Sequence, residues 1–192
     1  MARLQPLSYK ELDERQARLW DSIVNSPRMA GEEAPASLGG PFDPWLRVPA
    51  AGLAAASLGE ELRFHSLLPD RLRELAVLTV ARQWRADYEF WAHARIARRV
   101  GLDEAIIDAL RTGAPVPYTH DDERLVHVVS LSLLQSARIA EDVFGEAVQQ
   151  LGQEEVVELV MLVGFYVMVS MTLNAFEVPL PPGEAVEWEH PG

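Results

Sequence analysis

The residues of this chain best suited to chemistry are a carboxylate and an imidazole four positions apart, Glu89 and His93. Residues i and i+4 of an α-helix lie on the same side, so this spacing places the two side chains next to each other. Ile96 and Val100 continue the same stripe, which predicts that this face packs inward. A carboxylate beside a histidine orients the imidazole and raises its basicity for proton transfer. The spacing fits equally a structural contact in which two buried polar groups satisfy each other.

A second acid, Glu74, lies on the preceding predicted helix beside the apolar run Leu75–Leu78. A tight turn at Ala86-Asp87 would pack the two helices together, and Glu74 could then face the Glu89–His93 pair. The alternative is an exposed acid near a helix start, a position that the helix dipole favours.

Two other groups of residues have a functional and a structural interpretation. Trp84 precedes the Glu89–His93 pair and Trp91 lies between its two residues. Both tryptophans either line the pocket of the pair or anchor a core or interface. His120 and His127 lie near three acids, but seven residues span about 10 Å along a helix, too far for one metal ion. The acids are better explained as a capping cluster at a helix start, and no metal or organic cofactor is expected.

The elements that must position these residues are all predicted to be helices. Apolar residues recur at helical spacing, and Pro, Gly, Ser and Asp mark the ends of the segments. Asp87 and Asp103 are expected to cap helices, as is Ser8 in a first helix that runs to Val24. The helices are predicted over 8–24, 50–65, 70–85, 87–101, 103–113, 121–137, 141–151 and 154–173, with a Gly- and Pro-rich loop over 25–49 and an extended Pro-rich tail over 178–192. The prediction is one all-α domain over 1–192, whose loop either shapes specificity or wraps the surface.

The composition excludes several classes of function. The chain has 192 residues, 48% hydrophobic and 24% charged, as is typical of a folded domain. With 29 acidic and 17 basic residues its net charge is −12, which disfavours nucleic acids and anionic membranes. It contains no cysteine, which excludes disulfides, thiolate metal sites and thiol catalysis. The apolar run 159–173 is too short for a membrane span, so a core or interface helix and a cytoplasmic protein are expected.

The segment around the pair resembles a known family motif. The run Leu72–Arg82, then Asp87–His93, Ala97 and Gly101-Leu102, is similar to the core motif of the carboxymuconolactone decarboxylase-like superfamily, over about 68–102. The alkylhydroperoxidase D branch has a glutamate, a Cys-x-x-Cys pair and a histidine. Counted from Glu74, the cysteine positions fall on Ala86 and Glu89, and the histidine falls on His93. Decarboxylase-type members are similar in having a glutamate four residues before the histidine.

The resemblance implies an alkylhydroperoxidase D-like helical bundle that self-associates as a dimer, trimer or hexamer. It implies cofactor-free acid/base chemistry, as a lyase or isomerase, on a small carboxylated lactone or a related aromatic-degradation metabolite. His93 would transfer the proton, Glu89 would orient it, and Glu74 would be a second acid that shapes the pocket. Arg82 would clamp a substrate carboxylate or else be exposed, and His65 resembles a position of close relatives.

Two other functions remain to be compared with the lyase. A non-catalytic oligomeric protein of the same fold could bind a small molecule or serve as a scaffold. A thiol peroxidase lacks the thiolate that it needs. Lyase and binding protein should differ in whether Glu89 and His93 face an open pocket or are sealed by packed side chains.

Overall fold

The computed structural model describes residues 2–30, 35–186 and 188, and these residues form helices joined by turns and loops. No strand occurs among them, so the predicted all-α class is confirmed. The α-helices are α1 (Glu14–Val24), α2 (Phe42–Trp45), α3 (Pro49–Phe64), α4 (Asp70–Trp84), α5 (Asp87–Arg99), α6 (Glu104–Thr112), α7 (Asp121–Ser136), α8 (Glu141–Gln150) and α9 (Gln153–Ala175).

The predicted loop and tail are only partly described. The loop over 25–49 contains a 3₁₀ turn at Pro27–Met29 as well as α2, and the tail is irregular from 178 to 186. Residues 31–34 of the loop, and 187 and 189–192 of the tail, lie outside the described residues.

The first helix does not begin at Ser8 as predicted. Ser8 instead begins a 3₁₀ turn, where its backbone N–H donates to the Glu11 carboxylate at 2.8 Å. The chain is extended at Leu12, and Asp13 then caps α1 by accepting the backbone N–H of Gln16 at 2.9 Å. Two capping sequences follow each other here, and the second one starts the α-helix.

The predicted cap at Asp87 is also displaced, by one residue. Ala86 occupies the N-cap position of α5, and Asp87 is the first helical residue. An acid is favourable both at the cap and in the first turn, so sequence alone does not separate the two positions. Asp103 does cap α6 as predicted, accepting the backbone N–H of Ala105 at 2.8 Å.

The chain divides into two compact units, and the first lies within 1–65 and 172–179. In this unit α1 and α2 both pack on α3. A Cβ atom on Gly52 of α3 would lie 2.7 Å from Cδ2 of Leu19 and 2.9 Å from the carbonyl oxygen of Trp45. Glycine is therefore the residue that lets these helices approach so closely. A single domain over the whole chain stays a prediction.

The second unit lies within 66–171 and 180–192 and is built around α4. Helices α5, α6 and α7 all contact α4, and every α4 residue from Leu72 to Ala81 is buried. Its apolar core comprises Leu75, Leu78, Ala81, Phe90, Ala94, Ala97, Leu102, Ile106, Ile107 and Leu110. Because residues 72–81 of α4 are buried, the polar residues among them must find partners inside the protein.

Helix α9 is the most apolar element. Among the described residues it is the one helix long and apolar enough to cross a membrane by length and composition, and half of its most apolar stretch is buried.

Candidate active site

The turn between α4 and α5 brings the predicted site residues together. Arg85 takes the left-handed conformation with φ of 46°, and Ala86 returns to extended backbone. The backbone N–H of Ala86 donates to the carbonyl of Ala81 at 2.9 Å, which closes the end of α4. The chain thus reverses within two residues, and α5 packs along α4.

His93 lies between two carboxylates in the interior. Its Nδ1 is 2.6 Å from Oε2 of Glu74, and its Nε2 is 3.0 Å from Oε1 of Glu89. Glu74, Glu89 and His93 are 0%, 4% and 5% exposed. The structure therefore joins all three residues predicted to be catalytic, and both ring nitrogens of His93 have a carboxylate partner.

The two carboxylates keep His93 protonated. Burial lowers the pKa of His93, but Glu74 and Glu89 together outweigh burial through their charges and hydrogen bonds and raise it to about 9. At neutral pH the ring is an imidazolium that donates from both nitrogens. A buried cation is tolerated here because each N–H meets an anion.

Two residues that sequence reasoning missed complete the surroundings. Arg73 is buried beside Glu74, with its Nε 3.3 Å from Oε1 of Glu74 and its Nη1 2.7 Å from Asp70. The ring of Tyr166 on α9 meets the His93 ring edge-on at 5.0 Å. The buried cluster of Arg73, Glu74, Glu89 and His93 thus pairs two cations with two anions, which stabilises the charges in a medium of low dielectric constant. Arg73 had only its place next to Glu74 as a signal, and Tyr166 had none inside an uninterrupted apolar run.

A cavity of about 570 Å³ lies on the opposite side of α5. Successive residues turn by about 100° around a helix, so its α5 residues point away from Glu89 and His93. Three arginines line it, of which Arg98 pairs with Glu104 and Arg111 with Asp108, while Arg95 stacks on Trp91. The lining comprises Phe90, Trp91, Ala94, Arg95, Arg98, Arg111, Glu184, Ala185 and Val186. His93 is therefore not reached through this cavity.

The residues predicted to bind substrate lie in several places. Trp91 lines the cavity, and its buried indole N–H has no hydrogen-bond partner among the described residues. Arg82 donates to the carbonyl of Arg111 at the end of α6, at 2.8 Å. Trp84 is the last residue of α4 and is partly exposed, and His65 is the exposed C-cap of α3 in the first unit. Contacts of these residues with the Glu74–His93–Glu89 cluster stay predictions.

A second histidine is buried in a different setting. The Tyr118 hydroxyl is 2.5 Å from Nδ1 of His127, and burial lowers the pKa of His127 to about 4. Nearby, Glu123 accepts the backbone N–H of His120 at 3.1 Å and pairs with Arg71 at 3.0 Å, which agrees with the predicted capping cluster. In the described part of the chain, no group of three or more His, Asp or Glu side chains is arranged to hold a metal ion.

Comparison with known proteins supports the predicted family resemblance of this segment. Residues 49–138 match the model of the Carboxymuconolactone decarboxylase family, a stretch that contains Glu74, Glu89 and His93. A comparison with curated proteins gave no match.

Proposed function

Since residues 49–138 match the model of the carboxymuconolactone decarboxylase family, we propose that the chain is a cofactor-free acid/base enzyme. It would act as a lyase or isomerase on a small carboxylated lactone or a related metabolite of aromatic degradation. The observation that carries the proposal is the position of His93, whose two ring nitrogens lie within 3.0 Å of two buried carboxylates. Such a cluster stores one transferable proton next to groups that stabilise the charge.

The reaction needs this proton after carbon dioxide has left. Cleavage of the bond to the carboxylate leaves its electron pair on the substrate carbon, as an enolate conjugated with the neighbouring carbonyl group. The N–H of His93 then protonates that carbon, and the neutral imidazole regains its proton from water. This step needs no oxidant or reductant. In an isomerase, His93 would protonate one carbon of the substrate and take back a proton from another.

In this scheme Glu89 controls whether the Nε2 proton of His93 is available to the substrate. Glu74 is fully buried and tied to Arg73, so Nδ1 of His93 stays bound. Glu89 lies in the first turn of α5. Its Oε1 is 3.0 Å from Nε2 of His93, a longer distance than the 2.6 Å between Glu74 and Nδ1. Rotation of the Glu89 side chain would free the Nε2 proton for the substrate, while Glu74 would keep the ring oriented.

A second candidate function is a non-catalytic small-molecule-binding protein of the same fold. The observation that favours it is the closure of the cluster, since His93 is 5% exposed and neither ring nitrogen is open to a ligand. In that case Glu74, Glu89 and His93 would only stabilise the packing of α4 on α5.

The experiment is decarboxylation of 4-carboxymuconolactone by the wild type, by His93→Gln and by Glu89→Gln. His120→Gln is the matched control, because His120 is exposed at the start of α7. Folding and molecular mass are checked for each protein. The enzyme proposal expects turnover by the wild type and the control, a loss of at least about 100-fold in His93→Gln, and a changed pH profile in Glu89→Gln. A folded wild type without turnover would reject this substrate and favour the binding protein.

A further inference from the structure

Helix α9 exposes a continuous apolar face to solvent. Val157, Met161 and Met171 are 61%, 48% and 45% exposed, and a contiguous exposed apolar patch of this kind marks an interaction site. We call this surface the outer face of α9, made of Val157, Val160, Met161, Gly164, Val167, Met168 and Met171. No charged residue interrupts it.

The outer face is symmetric about Gly164. Val157 and Met171 lie seven residues to either side of it, Val160 and Met168 four, and Met161 and Val167 three. These are the separations that place residues on one side of a helix. If two such helices cross antiparallel at Gly164, each apolar residue of one helix meets an apolar residue of the other. A surface that is complementary to itself is what a two-fold contact between identical chains requires.

Gly164 has no packing role among the residues that the structure describes. A Cβ atom at this position would meet none of their atoms within 4 Å, so the space in front of it is open. Glycine in the middle of a helix is less favourable than alanine. Its usual reason is the close approach of another segment, and none of the described residues provides one here.

We propose that the outer face of α9 binds the outer face of a second copy of this chain, antiparallel and with Gly164 on the two-fold axis. The inner side of the same helix carries Tyr166, whose ring meets His93. The contact between copies would therefore support the helix that packs against the Glu74–His93–Glu89 cluster.

The surroundings of the face favour a protein partner over a lipid surface. Glu154, Glu155 and Glu158 precede or flank its first turns, and the whole chain carries a charge of −12, which anionic membranes repel. Glu158 accepts the backbone N–H of Leu67 at 3.0 Å, so this acid at the border of the face is held by its own chain.

Cysteine cross-linking tests the proposal directly, because the chain has no cysteine of its own. Gly164→Cys places one thiol on the proposed axis, where it would face its own copy within disulfide reach. Gly145→Cys on α8 is the matched control, since Gly145 is also helical, exposed and without an atom within 4 Å of a Cβ. Val157→Cys and Met171→Cys test the direction of the helices.

The expected result is a disulfide-linked dimer in most of the Gly164→Cys protein under mild oxidation and less than a tenth of that yield in Gly145→Cys. Val157→Cys and Met171→Cys should cross-link when mixed and not when alone. The wild-type mass in solution should be an even multiple of 21.4 kDa, and Met161→Glu should halve it. A monomeric wild type, equal cross-linking of both glycine variants, or cross-linking of Val157→Cys alone would overturn the proposal. So would a monomer that sediments with phosphatidylcholine vesicles, since the face would then bind lipid.

Discussion

The charge on His93 should make the protein less stable in alkali. The pKa of His93 is raised to about 9 in the folded chain, against 6.5 for an ordinary histidine. The folded state therefore binds more protons than the unfolded state between these values. The stabilisation is complete below pH 6.5 and is lost as the pH rises through 9. A shift of 2.5 units corresponds to about 3 kcal/mol of unfolding free energy.

The assay is urea unfolding at a series of pH values from 6 to 10. The reference is the double variant Glu74→Gln/His93→Gln, which replaces the closest charged pair by two neutral amides. Subtracting its free energy of unfolding removes the titration of groups common to both proteins. The wild type should lose about 3 kcal/mol more than the variant between pH 6.5 and 9.5. Parallel curves for the two proteins would refute the reasoning, because His93 would then be neutral or equally protonated in both states.

Three further changes should alter the free energy of unfolding, which the same urea assay measures. Ala137→Gly should stabilise the fold by about 0.5–1 kcal/mol, since Ala137 ends α7 in the left-handed conformation with φ of 56°; an unchanged midpoint would contradict this. Tyr118→Phe should cost about 1–2 kcal/mol by removing the hydroxyl bound to the buried His127, and a variant as stable as the wild type would show that this contact contributes nothing. Gly52→Ala should cost about 1–3 kcal/mol, because the added methyl group would lie 2.9 Å from the Trp45 carbonyl oxygen; a neutral effect would mean that α3 can shift.

The sequence predicted the helices and the central cluster from local patterns. Helical periodicity with Gly and Asp at the ends defined α6, and the four-residue spacing paired Glu89 with His93. Placing Glu74 beside this pair required one further assumption, a tight turn after α4. Arg85 and Ala86 form that turn.

Other features depended on tertiary contacts that no local pattern contains. Tyr166 lies 73 positions from His93 in the chain, and only the packing of α9 brings the two rings to 5.0 Å. A carboxylate clamp is one of the two roles that the sequence predicts for Arg82. In the structure its guanidinium donates to a carbonyl at the end of α6, a contact set by how α4 and α6 pack. The closure of the cluster depends likewise on side chains from several helices.

The most direct measurement is an NMR titration of the His93 ring in ¹⁵N-labelled protein, with His93→Gln to assign its signals. The stored proton is the premise of both the stability and the catalytic proposals. The expected result is a ring protonated on both nitrogens at pH 7, with an apparent pKa of about 9, while His127 stays neutral because burial lowers its pKa to about 4. A neutral His93 ring at pH 7, titrating below that pH, would contradict the central claim that Glu74 and Glu89 hold a transferable proton on His93.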